Sequence, residues 1–462
     1  MFGEFSSTQW DALAFVYLGF ALMAGMIVRK RVPILRRLYI PGSVIAGFLI
    51  LLLGPQIIGQ FTGGWSLFPE RALHIIELLP GLLINIVFAG IMLGKSLPSF
   101  KQVWKEAAPH VILGSVFSFG QFALGALAVV FILTPFFGLN PVAGSILEMS
   151  FAGGHGTIAG MGGILEEAGA PEIVDVGLGL ATISMLTGII GGSLLVNYAI
   201  RNPKIPVART ADDRTPITSS LSKIKPNSGD QVDNKGGLGS LSRSFGAIAI
   251  AIALAIVMLY SLRWILNLAG SSALDNFPLF PFTVIGGFLV QLVLSKVGQE
   301  AILDRRTIND ISGLALDLLI AAAIGTMSLA ALGANWVSLV ILTVIAFAWS
   351  VFGMLWLGPK IHRKDWFEHS IADYGQSQGN VAAGFILADM ADPAHETSAA
   401  RAYGYKQLIY EPLLGGGILT AFAIPVILSI GSLWFGLASL AITLLLILWG
   451  VKRGRTAAHL TA

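Results

Sequence analysis

Long apolar runs separated by short polar loops extend along almost the whole chain. A run of roughly 20 apolar residues can cross a bilayer as an α-helix, and about eleven such runs are present. The predicted spans are 10–28, 40–58, 77–94, 109–136, 176–199, 245–268, 279–295, 311–332, 336–358, 407–430 and 433–451. The pattern predicts an all-α polytopic membrane protein, surrounded by membrane lipid.

Two further apolar segments are interrupted by glycine and polar residues and do not fit as spans. Residues 141–170 contain FAGGHGTIAGMGGIL, and residues 366–394 contain YGQSQGN. Glycine costs a helix about 1 kcal/mol relative to alanine, and each arm of these segments is too short to cross a bilayer. Non-helical backbone at membrane depth must be buried in protein or line a cavity. We therefore predict two re-entrant hairpins, called here the first and second hairpin segments.

The basic residues predict the orientation. With the N-terminus outside and both hairpin segments returning to the side they enter from, all but two of the 29 Lys and Arg residues lie in cytoplasmic loops. Only Arg71 and Arg263 lie outside, as the positive-inside rule requires. The C-terminus is then inside. Arg401 and Lys406 map to the cytoplasmic end of the tenth span, so no cation is expected at mid-membrane depth.

A polar stretch divides the chain into two similar halves. PGSVIAGFLI recurs as PFTVIGGFLV, GLLINIVFA as GLALDLLIA, and GTIAG as GNVAA, in the same order. Five spans per half invert the second half, and inverted repeats are typical of secondary transporters. The predicted organisation is an N-terminal repeat 1–200, a disordered cytoplasmic linker 201–243, an inverted repeat 244–431 and an extra transmembrane helix with a tail 432–462.

Composition excludes several classes of function. The chain is 55% hydrophobic and 12% charged, whereas soluble proteins carry about 25% charged residues. It has no cysteine, and its basic residues are spread over short loops, which favours membrane topology over nucleic-acid binding. We find no P-loop and no dinucleotide fingerprint in a βαβ setting. We therefore expect neither an enzyme nor a nucleic-acid partner.

Acidic residues inside apolar segments are candidate ion ligands. Asp317 lies in the middle of a predicted span, where an ionisable residue is costly and by default functional. It is the leading candidate to bind a coupled Na⁺, and a structural buried acid is the alternative. Glu411, beside Pro412, is a second candidate with the same alternative. Glu148 is expected to face the outer vestibule.

The hairpin tips offer backbone groups and neutral oxygens. Broken helices present free N–H groups to anions and free C=O groups to cations. Side-chain oxygens come from Thr157, Gln376, Ser377, Gln378 and Asn380. Close helix packing is the alternative explanation of the glycines. His155 either senses protons or caps the hairpin turn, and we favour the cap.

At these residues the chain resembles the sodium/glutamate symporter (ESS) family of bacteria. FAGGHGT reproduces the core of that family's motif, and YIPGSVIAGF and YGQSQGNVAAGF are similar to its early and late motifs. The resemblance implies Na⁺-coupled uptake of L-glutamate or a related small carboxylate across the bacterial inner membrane, by an elevator movement in a homodimer. The substrate and ion contacts that it assigns are Gly153, Gly154, His155, Gly156, Thr157, Gln378, Gly379 and Asn380.

Two features depart from the family pattern. The second hairpin segment lacks the Thr-Pro pattern, and the span 433–451 follows the usual end of the family. These departures indicate a divergent branch and leave other functions open. One is a proton- or Na⁺-coupled carrier of another organic anion, in which His155 or Glu411 takes the proton. The others are a passive channel and a membrane scaffold or sensor. The lack of a sensory domain argues against the scaffold or sensor.

Overall fold

The computed structural model describes residues 6–38, 40–95, 100–208, 239–268, 270, 274 and 277–461, and all regular structure within them is helical. In the N-terminal half the α-helices are α1 (Ser7–Arg31), α2 (Pro33–Arg37), α3 (Gly42–Leu53), α4 (Ile58–Phe61), α5 (Glu70–Gly90), α6 (Phe100–Ala128), α7 (Thr134–Phe137), α8 (Ile146–Phe151), α9 (Gly154–Gly160), α10 (Gly162–Glu167) and α11 (Glu172–Arg201).

The C-terminal half begins after the predicted linker, of which residues 209–238 lie outside the described part. Its α-helices are α12 (Ser240–Leu268), α13 (Phe280–Lys296), α14 (Arg305–Thr326), α15 (Leu329–Ala334), α16 (Trp336–Phe352), α17 (Gly358–Ile361), α18 (Trp366–Gln378), α19 (Val381–Ala391), α20 (Ala399–Lys406), α21 (Ile418–Ile430) and α22 (Ser432–Thr461). Single 3₁₀ turns are Pro141–Ser145 and Glu300–Ile302, and π-helical turns are Val129–Leu133 and Gly353–Leu357.

Side-chain caps fix several helix starts. Ser6 and Gln9 form a reciprocal capping box at α1. Asp304 accepts hydrogen bonds from the backbone N–H groups of Arg306 and Thr307 at α14. The Thr307 hydroxyl donates to the same carboxylate at 2.6 Å and lowers the pKa of Asp304 below its usual value. Caps of this kind satisfy N–H groups that the helix leaves unpaired.

Nine stretches of the described chain are long and apolar enough to cross a membrane, which confirms the prediction of an all-α, polytopic membrane protein. They are Ser7–Arg31, Gly42–Phe61, Glu70–Gly90, Val103–Phe137, Glu172–Arg201, Ser240–Leu268, Arg305–Thr326, Trp336–Ile361 and Ser432–Thr456. The predicted span 279–295 corresponds to the shorter helix α13, of 17 residues.

The prediction of a continuous span over 407–430 is wrong. Helix α20 ends at Lys406 and α21 begins only at Ile418. Pro412 has no N–H to donate, and Gly415 and Gly416 adopt φ of 64° and 102°, which lie outside the helical region. We call residues 407–417 the non-helical connection.

One group of helices, α1, α3, α5, α12, α13 and α14, packs around a central pair, α5 and α14. Helix α3 packs against α14, and α13 packs against α5. The repeated glycine of the two matching motifs lies at these contacts. A Cβ on Gly47 would be 2.6 Å from the Ile324 side chain, and one on Gly287 would be 2.3 Å from the Ala89 carbonyl oxygen. Each of these glycines therefore allows its helix to approach one member of the central pair closely.

Helix α6 is the centre of a second group of helices. Helix α6 contacts α22 most extensively, and also α8, α16, α18 and α20. Helices α6 and α16 both continue into a π-helical turn and then a short helix with proline near its start. Helix α11 contacts α8, α9, α18 and α19, so it lies against both hairpin segments.

Both hairpin segments are interrupted as predicted. In the first, Ala152 and Gly153 separate α8 from α9, and Gly154 has a φ of +75° that only glycine adopts readily. In the second, α18 and α19 pack against each other. A Cβ on Gly375 would be only 2.7 Å from the Cα atom of Gly384. Glycine thus allows the two arms of the second segment to lie side by side.

Candidate functional site

One turn of α6 contacts both hairpin segments. Ser118 donates its hydroxyl to Glu148 Oε1 of the first segment at 3.1 Å. Gln121 donates from Nε2 to the Ser377 carbonyl oxygen of the second segment at 2.9 Å. Since Ser118 and Gln121 lie one turn apart, the structure brings the two segments together at this point. We call this region the hairpin junction.

Glu148 is the centre of a buried polar cluster at the hairpin junction. Its Oε1 atom accepts from Ser118, from the Gly415 N–H at 3.1 Å and from Thr420 Oγ1 at 3.2 Å. Tyr410 Oη lies 2.6 Å from Ser118 Oγ. We call these five residues the Glu148 cluster. Glu148 is fully buried, so the expectation that it faces an outer vestibule is wrong.

Three buried side-chain oxygen atoms of α6 and α8 have no hydrogen-bond partner within the described chain. They are Glu148 Oε2, Gln121 Oε1 and Ser150 Oγ. A buried carboxylate without a positive partner is costly. Hard cations prefer carboxylate, amide and hydroxyl oxygens. The Glu148 cluster and its neighbours therefore have the chemistry to bind a small hard cation.

The predicted residues of the first hairpin segment make contacts within the protein. His155 Nε2 lies 2.9 Å from Thr182 Oγ1 of α11, so the imidazole bonds to a neighbouring helix and not to the turn. Thr157 donates to the Gly153 carbonyl oxygen at 3.0 Å. A Cβ on Gly416 would be 2.3 Å from Thr157 Oγ1. The first interruption therefore lies against the non-helical connection.

The predicted residues of the second hairpin segment separate into three environments. Gln378 donates from Nε2 to the Ala346 carbonyl oxygen at 2.7 Å, and Ser377 lies at the hairpin junction. Asn380 is exposed and accepts from the Ala383 N–H at 2.8 Å, which caps α19. Gly379, buried beside it, completes the interruption. Gln376 belongs to a different cluster, described below.

The two acids predicted to bind Na⁺ lie elsewhere. Asp317 is exposed on α14 and lines a cavity of about 870 Å³ that also contains Arg29, Lys30 and Asp310. No residue of either hairpin segment lines that cavity. Glu411, on the non-helical connection, interacts electrostatically with the cations Lys95 and Arg305, which compete with a bound ion for its charge.

A second buried cluster was not predicted from the sequence. It consists of His110, His362, His369, Asp373 and Lys406, and we call it the histidine–aspartate cluster. Asp373 Oδ1 is 3.0 Å from Lys406 Nζ, and Oδ2 is 2.8 Å from His110 Nδ1 and 3.1 Å from His362 Nε2. His110 Nε2 is 2.7 Å from His369 Nδ1.

The predicted topology counted Lys406 among the cations of the cytoplasmic loops, and the structure does not place it there. It is fully buried, and its ammonium group also donates to Gln376 Oε1 at 2.7 Å. Gln376 and Gln407 bond to each other through their amides. The spacing of His369 and Asp373, four residues apart on one helix, was a signal in the sequence. No such signal indicated that His110 of α6 and Lys406 of α20 would join them.

The three imidazoles of this cluster have nitrogen atoms within 4.8 Å of one another, which is close enough to share a metal ion. The described geometry favours hydrogen bonds instead. The 2.7 Å separation of His110 Nε2 and His369 Nδ1 is that of a hydrogen bond, with one proton between the two nitrogen atoms. The Lys406 ammonium lies on the same carboxylate and would repel a cation. We therefore treat the cluster as a hydrogen-bonded network.

These features define a multi-pass helical membrane protein with two interrupted segments around a buried polar junction. A family model described as sodium/glutamate symporter matches residues 9–358, and the chain belongs to this family. Membership in a family of transporters implies that the protein is not an enzyme. The match includes the first hairpin segment and ends before α18. No curated protein matches the chain.

Proposed function

We propose that the protein is a secondary active transporter that carries L-glutamate, or a related small carboxylate, into the cell together with Na⁺. The family supports this proposal, and the observation that carries it is the hairpin junction. There one turn of α6 joins two glycine-interrupted segments beside a buried carboxylate with an unpartnered oxygen. Binding sites of secondary transporters lie between broken helices of this kind.

An inverted repeat with two re-entrant hairpins is part of the proposal. The glycines of α11 lie against the second hairpin segment, where a Cβ on Gly188 would be 2.8 Å from the Gln378 carbonyl oxygen. The glycines of the non-helical connection lie against the first, where a Cβ on Gly415 would be 3.4 Å from the Ala152 carbonyl oxygen. Each segment thus lies against a glycine-containing element of the other half, as a two-fold related pair would.

Glu148 is the best-supported ligand for the coupled Na⁺. It is fully buried at the hairpin junction and keeps one oxygen without a partner. Gln121, one turn from Ser118 on α6, has a further unpartnered oxygen. Asp317 is exposed at another cavity, and Glu411 faces two cations, so both are weaker candidates than the sequence implied.

The substrate would bind between the two interruptions. Its carboxylates need N–H donors, and the residues around Gly153–Thr157 and Gln378–Asn380 supply backbone breaks where such donors are free. The bound Na⁺ would offset part of the negative charge. Transport would then occur when the helices around α6, with both hairpin segments, move as an elevator against α1, α3, α5, α12, α13 and α14. A homodimer in the bacterial inner membrane is the expected assembly.

Uptake into proteoliposomes tests the proposal. With an inward Na⁺ gradient, labelled L-glutamate should accumulate above its external concentration, and unlabelled small carboxylates should compete. Replacing Na⁺ by K⁺ or choline should abolish accumulation. Equal uptake in all three salts would contradict Na⁺ coupling, and uptake that stops at equal concentrations would indicate a passive channel.

A further inference from the structure

The histidine–aspartate cluster forms a continuous hydrogen-bonded path from the protein surface to a buried carboxylate. At the outer end, His369 Nε2 lies 3.5 Å from the hydroxyl of the exposed residue Ser398. At the inner end, His369 Nδ1 contacts His110 Nε2 at 2.7 Å, and His110 Nδ1 contacts Asp373 Oδ2 at 2.8 Å. His369 is half-buried, whereas His110 and Asp373 are fully buried.

The charges of the cluster balance in one protonation state. Asp373 is negative and Lys406 positive, so neutral imidazoles satisfy every bond. His110 then donates its Nδ1–H to Asp373, and its Nε2 atom accepts a hydrogen bond from the Nδ1–H of His369. The groups that face this path are His110 of α6, His362 after α17, Lys364, His369 of α18, Tyr403 and Lys406 of α20, and Tyr410.

We propose that the transporter also carries a proton, which exchanges with water through His369 and His110 and is held on Asp373. The inference rests on the proposed symport function, because it adds a second coupled ion to the same moving helices. An ion pair with Lys406 would by itself satisfy one oxygen of Asp373. The two imidazoles add what an ion pair does not need, a chain of ring nitrogen atoms that can each donate or accept a hydrogen bond.

The transfer moves one proton, and every N–H bond that breaks is matched by an N–H or O–H bond that forms. A proton from water binds His369 Nε2, and the Nδ1–H bond of His369 breaks as an Nε2–H bond forms on His110. The Nδ1–H bond of His110 then breaks, and the proton binds Asp373 Oδ2. Both imidazoles end neutral in the opposite tautomer, Asp373 is neutral, and the cluster has gained one positive charge.

The added positive charge affects the Glu148 cluster electrostatically, through Lys406. When Asp373 is neutral, the Lys406 ammonium loses its counter-charge. It lies 4.1 Å from the centre of the Tyr410 ring, and the Tyr410 hydroxyl contacts Ser118, which donates to Glu148. An unbalanced cation at this position favours an anion nearby, because charges interact strongly where water is excluded. The proton therefore favours loading of the anionic substrate.

Infrared difference spectra of the reconstituted protein test proton binding without any substrate. After a pH drop, the carbonyl bands of protonated carboxylic acids should include one component in the wild type that is absent in D373N, while the components of the other acids remain. In H369Q this component should reach the same final amplitude but more slowly, because the relay is broken and the acceptor is intact. H74Q, which changes an exposed histidine of α5, should match the wild type.

A pH dye inside proteoliposomes then tests coupling. At a fixed Na⁺ gradient, L-glutamate should acidify the lumen in the wild type and in H74Q, and this acidification should be slower in H369Q. Na⁺-dependent uptake without acidification, or a band that appears at the same rate in H369Q, would overturn the inference and leave the symport proposal standing. The expected band kinetics without uptake of any carboxylate would support the relay and refute the symport.

Metal analysis closes the remaining alternative. The purified protein, dialysed with and without Zn²⁺, should contain no stoichiometric zinc, and EDTA should not alter the infrared kinetics. One zinc per chain that is lost in H369Q would overturn the inference, since a bound cation would replace the shared proton.

Discussion

The carboxylate of Glu148 accepts a hydrogen bond from the backbone N–H of Gly415 at 3.1 Å. This bond joins the first arm of the first hairpin segment to the non-helical connection between α20 and α21. Gly415 has a φ of 64°, which lies outside the helical region. A cation bound at Glu148 would therefore act on both interrupted elements at once.

The first prediction concerns the Glu148 carboxylate. E148Q removes the negative charge and keeps the shape, so the Na⁺ concentration for half-maximal uptake should rise about tenfold or more. Lost interactions with a charged group cost on the order of 1.5–3 kcal/mol, which is about one to two decades in affinity. E166Q changes an exposed acid of the same segment and should match the wild type. Unchanged Na⁺ dependence in E148Q would remove Glu148 from the ion site.

The second prediction separates Glu148 from Asp317. D317N should leave the Na⁺ dependence within about twofold of the wild type, because exposed charges contribute about 0–1 kcal/mol. The same uptake assay over a range of Na⁺ concentrations measures it. A large loss in D317N with an unchanged E148Q would return the ion site to α14, where the sequence had first placed it.

Glu148 and Asp317 show which features of the candidate site can be predicted from the sequence and which cannot. The apolar runs and the two interruptions follow from residue composition alone, and both are present in the structure. Asp317 was favoured because it stands in the middle of an apolar run, yet its side chain faces a cavity with Arg29 and Lys30. The position of a residue in an apolar run gives its depth along a helix, but it does not give the direction in which that side chain points among the neighbouring helices.

The missed cluster has the same cause. His110, Asp373 and Lys406 lie on three different helices, and no spacing within one sequence brings them together. The break at 407–417 could have been predicted in part, because Pro412 and three consecutive glycines lie in the predicted span. The hydrophobicity of the flanking residues outweighed that signal.

The third prediction concerns the contact of α11 with the second hairpin segment. G188A places a methyl group 2.8 Å from the Gln378 carbonyl oxygen, and overpacking of this kind costs about 1–3 kcal/mol. The apparent melting temperature and the uptake rate should both fall. G19A is the matched control, since a Cβ there meets nothing within 4 Å and alanine favours a helix. A fully active, stable G188A would show that this close approach is not required.

The fourth prediction concerns α22, the helix beyond the predicted repeats. Gly436 lies against Ala126, and Gly450 against Ile112, so this helix covers a long face of α6. A chain ending at Gly431 should therefore be recovered at much lower yield and melt at a lower temperature. Adding residues 432–462 as a separate peptide span should restore part of both. A truncated protein as stable and active as the full chain would make α22 dispensable.

The last prediction tests the ion pair between Asp373 and Lys406. K406M keeps the length of the side chain and leaves Asp373 buried without its cation, a loss that costs about 3–5 kcal/mol. The double variant D373N/K406M removes both charges and should melt at a higher temperature than K406M alone, because no uncompensated charge remains. K452M changes an exposed lysine of α22 and should melt with the wild type. Thermal unfolding at one scan rate compares all four proteins. If the double variant were no more stable than K406M, the two residues would not be coupled, and His110 and His362 would be sufficient partners for Asp373.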